Sequence, residues 1–193
     1  MKNKLFLVIF VLIVPALAGA EERERLIPKA EAFGGFTYSH IESGNSINLG
    51  NGFGQQAGIR IYNGDQGRLG VGFRIGRFEH EVNYGKPKPI EGIDAISVDG
   101  SAVTALGEVY IRSRSPKVAP YLFLGLGMLS TDHVYHSQPG GNKELKKSTL
   151  ETDLGFGVRV AATKRLSINP EVHLMLGYTV LQAGIGISYR IGR

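Results

Sequence analysis

The sequence predicts an all-β chain: an eight-stranded, antiparallel, up-and-down transmembrane β-barrel. Three observations predict it. Several segments alternate apolar residues with others at period two, the period of a strand whose successive side chains point to opposite faces. The second face of those strands is small, glycine-rich and marked by single strong charges, which suits the inner wall of a narrow barrel in a membrane. Glycine makes up 27 of the 193 residues, about 14% against a usual value of about 7%. It recurs in pairs two residues apart: Gly70/Gly72, Gly125/Gly127, Gly155/Gly157 and Gly184/Gly186. No long apolar helix follows residue 20. A membrane protein made of such strands has to close, because an open sheet leaves backbone groups unsatisfied in lipid.

The first 20 residues read as a secretory signal peptide. Lys2 and Lys4 precede the apolar run Leu5–Val14, and Ala18-Gly19-Ala20 offers cleavage after Ala20. Residues 21–28 form a charged leader, and the barrel is expected over residues 29–193. The chain has no cysteine, so no disulfide framework is possible. Its formal charge of +5 is interspersed with acids, which does not suit nucleic acid.

Strand one is expected at Lys29–Ile41, with Ala30, Ala32, Phe36 and Tyr38 outward and Glu31, Thr37 and Ser39 inward. A polar loop at 43–52 precedes strand two, Phe53–Tyr62. The turn Asn63–Gly67 leads to strand three from Arg68. Its alternation changes near Gly76-Arg77-Phe78, where a bulge or an exit from the bilayer is expected. Residues 85–94 form a loop, and strand four spans Ala95–Arg112. Strand five, Val118–Ser130, places Leu122, Leu124, Leu126 and Met128 outward. Residues 131–147 read as a long polar loop. Strands six to eight are expected at Ser148–Ala162, Arg165–Tyr178 and Val180–Ile191.

The charges on the predicted inner face are Glu31, Arg60, Arg68, Arg74, Glu108, Arg112, Asp153, Arg159, Glu171 and Arg190. An Arg on the lipid face would cost about 2–4 kcal/mol at the midplane. Inside, each charge needs a partner or water, so an Arg–carboxylate network filling the lumen is expected. An eight-stranded barrel has room for little beyond side chains.

Ala119-Pro120-Tyr121-Leu122-Phe123-Leu124-Gly125-Leu126-Gly127, Leu154-Gly155-Phe156-Gly157-Val158-Arg159 and Gly184-Ile185-Gly186-Ile187-Ser188-Tyr189-Arg190 resemble the small eight-stranded outer-membrane β-barrels of Gram-negative bacteria. These include the barrel domain of outer-membrane protein A, the OmpX-like proteins and the opacity-type surface proteins. The resemblance implies export to the outer membrane and contact with its lipid and lipopolysaccharide. It also implies assembly by the barrel-assembly machinery, a monomer, and long extracellular against short periplasmic connections. Family members usually end in an aromatic residue; here Ile191-Gly192-Arg193 ends the chain, with Tyr189 nearby.

Other classes are weighed on their own residues. His133-x-x-His136 has Asp132 as its only nearby acid, too few ligands for a metal site. Ser39-His40-Ile41-Glu42-Ser43 holds the residue types of a lipid A-modifying hydrolase. Strand neighbours face opposite ways, however, and no G-x-S-x-G is present. The glycine pairs form no G-x-G-x-x-G. Neither an enzyme activity nor a cofactor is expected. Alternation alone also fits a soluble periplasmic, lipocalin-like barrel binding an apolar ligand, although its outward glycines would then serve no purpose. The expected role is structural or surface interaction through residues 43–52, 85–94 and 131–147.

Overall fold

The computed structural model describes residues 30–42, 48–62, 69–83, 93–111, 117–137, 141–177 and 180–191. The signal peptide, the leader, Arg68 and Arg112 lie outside these residues. The strands are β1 (Ala30–Glu42), β2 (Asn48–Tyr62), β3 (Leu69–Asn83), β4 (Ala95–Tyr110), β5 (Val118–Ser137), β6 (Gly141–Ala161), β7 (Leu166–Met175) and β8 (Val180–Ile191). Each pairs antiparallel with the next, and β8 returns to β1, closing the barrel. Closure leaves no strand edge within the apolar band, which lipid requires.

The outward face carries that band. Ile59 and Ile61 on β2, Leu69 to Ile75 on β3, Leu122 to Met128 on β5 and Ile185 and Ile187 on β8 are all exposed large apolar residues at every second position. Phe36, Tyr38 and Phe53 cap it at one side, with Tyr38 and Phe53 edge to face at 5.4 Å. Aromatic rings at this level are typical of a membrane–water boundary.

The inward face interlocks large residues with glycines. Phe33, Tyr62, Phe78, Tyr121 and Phe123 each stand directly opposite a glycine of the next strand: Gly58, Gly70, Gly100, Gly157 and Gly155. A Cβ built on any of these glycines would run into the facing ring. Each glycine is therefore the floor on which a ring lies, the sheet counterpart of alternating large and small core residues.

Two sequence expectations are corrected. The loop expected at 131–147 is mostly strand. β5 runs on to Ser137, β6 starts at Gly141, and the two stay in register throughout. Residues 141–148 are exposed on both faces, so no alternation marks them as strand. β2 likewise begins at Asn48, inside the loop expected at 43–52.

Of the two readings of Gly76-Arg77-Phe78, the bulge does not occur and the exit from the bilayer fits. β3 pairs with β2 and β4 without a register change across these residues. What changes is the surroundings. Beyond Ile75 the outward residues Arg77, Glu79 and Glu81 are exposed, while Phe78 and His80 are buried inside. Outside the lipid band the outer face meets water, so polarity inverts while the phase is kept. The break in the β6–β7 ladder falls at Val158 and Arg159, opposite Pro170 and Asn169. Pro170 has no N–H to give.

Candidate functional site

Two layers of buried side chains face the lumen. The layer nearer the chain termini is polar, and Arg60 is its hub. It reaches Glu31 from Nη1 at 3.3 Å, Glu108 from Nε at 2.6 Å and Glu171 from Nη2 at 2.7 Å. Its guanidinium also lies over the Phe33 ring, 3.8 Å from the centroid, a cation–π contact between buried groups. Arg159 forks onto both carboxylate oxygens of Glu31 and donates to the hydroxyls of Tyr110 and Tyr62. A two-pronged guanidinium–carboxylate pair of this kind fixes geometry as well as charge.

Tyr121 donates to Glu171, and the Gln56 amide donates to the other oxygen of Glu171 at 3.3 Å. Higher up, Arg74 pairs with Asp153, which also accepts from His173 Nδ1 at 3.0 Å. All of these charged groups are buried.

Eight of the ten charges expected on the inner face are described. The structure brings seven together: Glu31, Arg60, Arg74, Glu108, Asp153, Arg159 and Glu171. Arg190 faces inward at the end of β8, opposite Glu31 in register, and is half-buried. Arg68 and Arg112 lie outside the described residues. Sequence reasoning missed the tyrosine hydroxyls. Tyr62 donates to Glu31 at 2.9 Å and sits edge to face with Tyr110. Their inward phase was legible; their reach across the lumen was not. It also missed Glu151, which accepts from the Gly177 backbone N–H at 2.6 Å.

The second layer is apolar. Phe78, Ile96, Val98, Leu129, Met175 and Val180 form a buried cluster at the opposite end. Buried polar residues at its rim include Ser39, whose Oγ bonds His80 Nε2 at 2.7 Å. The serine of the sequence motif therefore meets His80 of β3. His40 faces outward and bonds Asn51 at 2.9 Å. His133 and His136 also fall on opposite faces of β5: His133 is buried, and His136 contacts Ser97 and Asn142. Among the described residues, no group of three or more His, Cys, Asp or Glu could hold a metal.

His80 lies beyond the apolar band, and burial pushes its pKa down to about 4, with the charge of His40 adding to the effect and the Gly50 carbonyl opposing it. The unfolded chain binds that proton more readily than the folded one. The resulting stability is complete above about pH 6.5, the free histidine value, and is lost as pH falls toward 4. We expect the urea midpoint of the detergent-folded barrel to drop over this window. His80→Gln, which keeps a partner for Ser39 and cannot become charged, should flatten the slope. Parallel wild-type and His80→Gln titrations would show the opposite if His80 were already charged.

The connections orient the barrel. Both described chain ends, Ala30 and Ile191, lie at the barrel end where β2, β4 and β6 finish and β3, β5 and β7 begin. At the other end β3 to β6 rise as a wall, the β5–β6 hairpin highest, while β7 pairs with β6 only as far as Asp153. On that wall Lys143 and Lys147 point to one face of β6 and are exposed, and Lys146 on the other face pairs with Asp132 at 3.4 Å.

Comparison with known proteins agrees with this architecture. The family model described as outer membrane protein beta-barrel domain matches residues 5–190. No curated protein matches the chain. Among solved structures, the outer membrane protein OprG from Pseudomonas aeruginosa superposes with a TM-score of 0.61 at 14% identity, covering 89% of this chain and 100% of its own. Ail, the attachment invasion locus protein of Yersinia pestis, solved in complex with the heparin analogue sucrose octasulfate, gives 0.57 at 15% identity, covering 86% and 99%. Neisserial surface protein A gives 0.54 at 14%, covering 84% and 97%. At these identities the likeness is one of fold.

Proposed function

This chain belongs to the outer membrane protein beta-barrel domain family, and from that premise we propose that it is a closed-lumen barrel that presents its raised wall to surface ligands. As an outer-membrane barrel it stands in lipid and lipopolysaccharide, with its ends in the periplasm and the β5–β6 hairpin outside. The observation that carries the reading is the height of that hairpin. The exposed large apolar residues of the outward face end at Met128 and Leu150, with only the half-buried Val134 beyond them, yet β5 and β6 stay paired to Ser137 and Gly141. Lipid does not require that length of strand, whereas a rigid platform above the membrane does.

The lumen below does not need to conduct. The Arg60 and Arg159 clusters cross it, and the apolar cluster lies above them. No cofactor or catalytic role enters this reading. The barrel acts as a monomer, assembled by the barrel-assembly machinery, and does not bind nucleic acid.

Polyanionic saccharide is the ligand class that the exposed lysines of β6 favour. Ail was solved with a heparin analogue; for this chain the support is Lys143 and Lys147 on one face of an extracellular strand. The test replaces residues 131–147, between the register partners Ser130 and Ser148, with a two-residue turn. The trimmed barrel should still shift mobility on boiling, as a closed barrel does, and should lose retention on immobilised heparin at low salt. Equal retention of the trimmed and full-length barrels would overturn the proposal.

A further inference from the structure

The apolar band is not uniform. Across β8, β1, β2 and β3 it dips into a groove of about 620 Å³. The floor is Gly34 on β1 beside Ala57 on β2, which are register partners. The banks are Phe36, Ile75, Ile185 and Ile187, all exposed. Only the upper end is polar, where Gln55 and Arg77 stand side by side as cross-strand partners. β2 runs inward from the extracellular side, so Gln55 lies above Ala57. β3 runs outward, so Arg77 lies above Ile75. Beyond Arg77 the outward face turns to Glu79 and Glu81. The groove thus runs from hydrocarbon up to the level where the band ends.

We propose that this groove holds an acyl chain of outer-leaflet lipopolysaccharide, its linkage carbonyl facing Gln55. This goes beyond the surface role above and rests only on the barrel's place in the outer membrane. The argument is one of matched polarity. The occupant has to be apolar along Ala57, Ile75 and Ile187 and polar at its extracellular end, the orientation of an outer-leaflet amphiphile. An inner-leaflet lipid would point the other way. A second barrel presents a convex face and cannot follow a trough flanked by Phe36.

The polar end also selects the chemistry. Arg77 is held by Asp99, through Nε at 3.1 Å and Nη2 at 2.5 Å, and by Glu79 at 3.1 Å. Its charge is offset there, which suits the ester or amide linkage of an acyl chain better than a bare phosphate. The Gln55 amide, exposed beside Arg77 at the upper end of the groove, supplies a donor for that linkage.

The structure supplies a clean pair of variants. A Cβ at Gly34 would meet only the Gln56 carbonyl, at an ordinary 3.6 Å, and one at Gly107, outward on β4 and away from the groove, only the Leu124 carbonyl at 3.9 Å. Gly34→Leu therefore fills the groove, and Gly107→Leu adds the same bulk elsewhere. The full-length exported protein is purified from outer membranes in mild detergent, its folding checked by the mobility shift on boiling. Co-purified lipid is then read by native mass spectrometry. Wild type and Gly107→Leu should retain lipopolysaccharide, and Gly34→Leu about tenfold less, the loss of roughly two methylene contacts. Should Gly34→Leu fail to assemble, Gln55→Leu removes the amide without filling the floor and should show a loss in the same direction. Unchanged retention by the assembled groove variant, no retention by wild type, or retention of a glycerophospholipid in place of lipopolysaccharide would each overturn the assignment.

Discussion

Replacing Arg60 with methionine should destabilise the barrel by about 3–5 kcal/mol, the cost of removing one partner from a buried charge cluster. Arg60 is the cation that Glu31, Glu108 and Glu171 share, and all four side chains are buried. Arg159 still covers Glu31 in the variant, and Arg60 loss leaves Glu108 with no guanidinium contact among those the structure shows. Methionine keeps most of the volume, so the effect is electrostatic. The readout is the urea midpoint of the folded barrel in detergent or bilayer, with the mobility shift on boiling as a check on closure. Adding Glu108→Gln to Arg60→Met should recover part of the loss, because the two sites form one network. If Arg60→Met leaves the midpoint unchanged, the lumen is wet enough to screen these charges, and the closed-lumen reading fails with it. Planar-bilayer recordings of wild type should show no large, stable conductance steps.

The second large effect is steric. Gly157→Val should destabilise the barrel by about 3 kcal/mol, the upper part of the usual range for overpacking. A Cβ at residue 157 runs into the Tyr121 ring. Tyr121 is held in place: it is fully buried, donates to Glu171 and packs against Tyr110 at 5.2 Å between centroids. The added methyls displace the ring and break the hydrogen bond together. Tyr121→Ala in the Gly157→Val background should relieve the clash, so the double variant should be more stable than the sum of the single losses predicts. Strict additivity in urea titrations would show that ring and glycine do not compete for the same space.

The comparison of sequence with structure turns on where alternation carries information. Leu122, Leu124, Leu126 and Met128 against Tyr121, Phe123, Gly125 and Gly127 were legible because lipid on one side and the narrow barrel interior on the other impose opposite chemistry at every second residue. At Phe78 and His80 the same rule left a bulge and an exit from the bilayer both open. Above the band the outer medium is water, so an unbroken strand looks like one that has slipped. It was silent at residues 141–148, where both faces are exposed and the sequence reads as loop. Ser39 and His40 show the limit of local motifs: adjacent in sequence, they face opposite ways, and the partner of Ser39 comes from β3.

By itself the sequence determined the fold class, the strand count and the inward phase of Glu31, Arg60, Arg74, Glu108, Asp153, Arg159 and Glu171. These follow from the two-residue period of the strand and the cost of a charge in lipid, both local properties. Only the tertiary structure decided which charges meet. Arg60 on β2 reaches Glu108 on β4 and Glu171 on β7, and Arg159 on β6 reaches Glu31 on β1. Those encounters depend on how far each strand is staggered when the sheet closes, a quantity fixed by all eight registers together and by no single one of them.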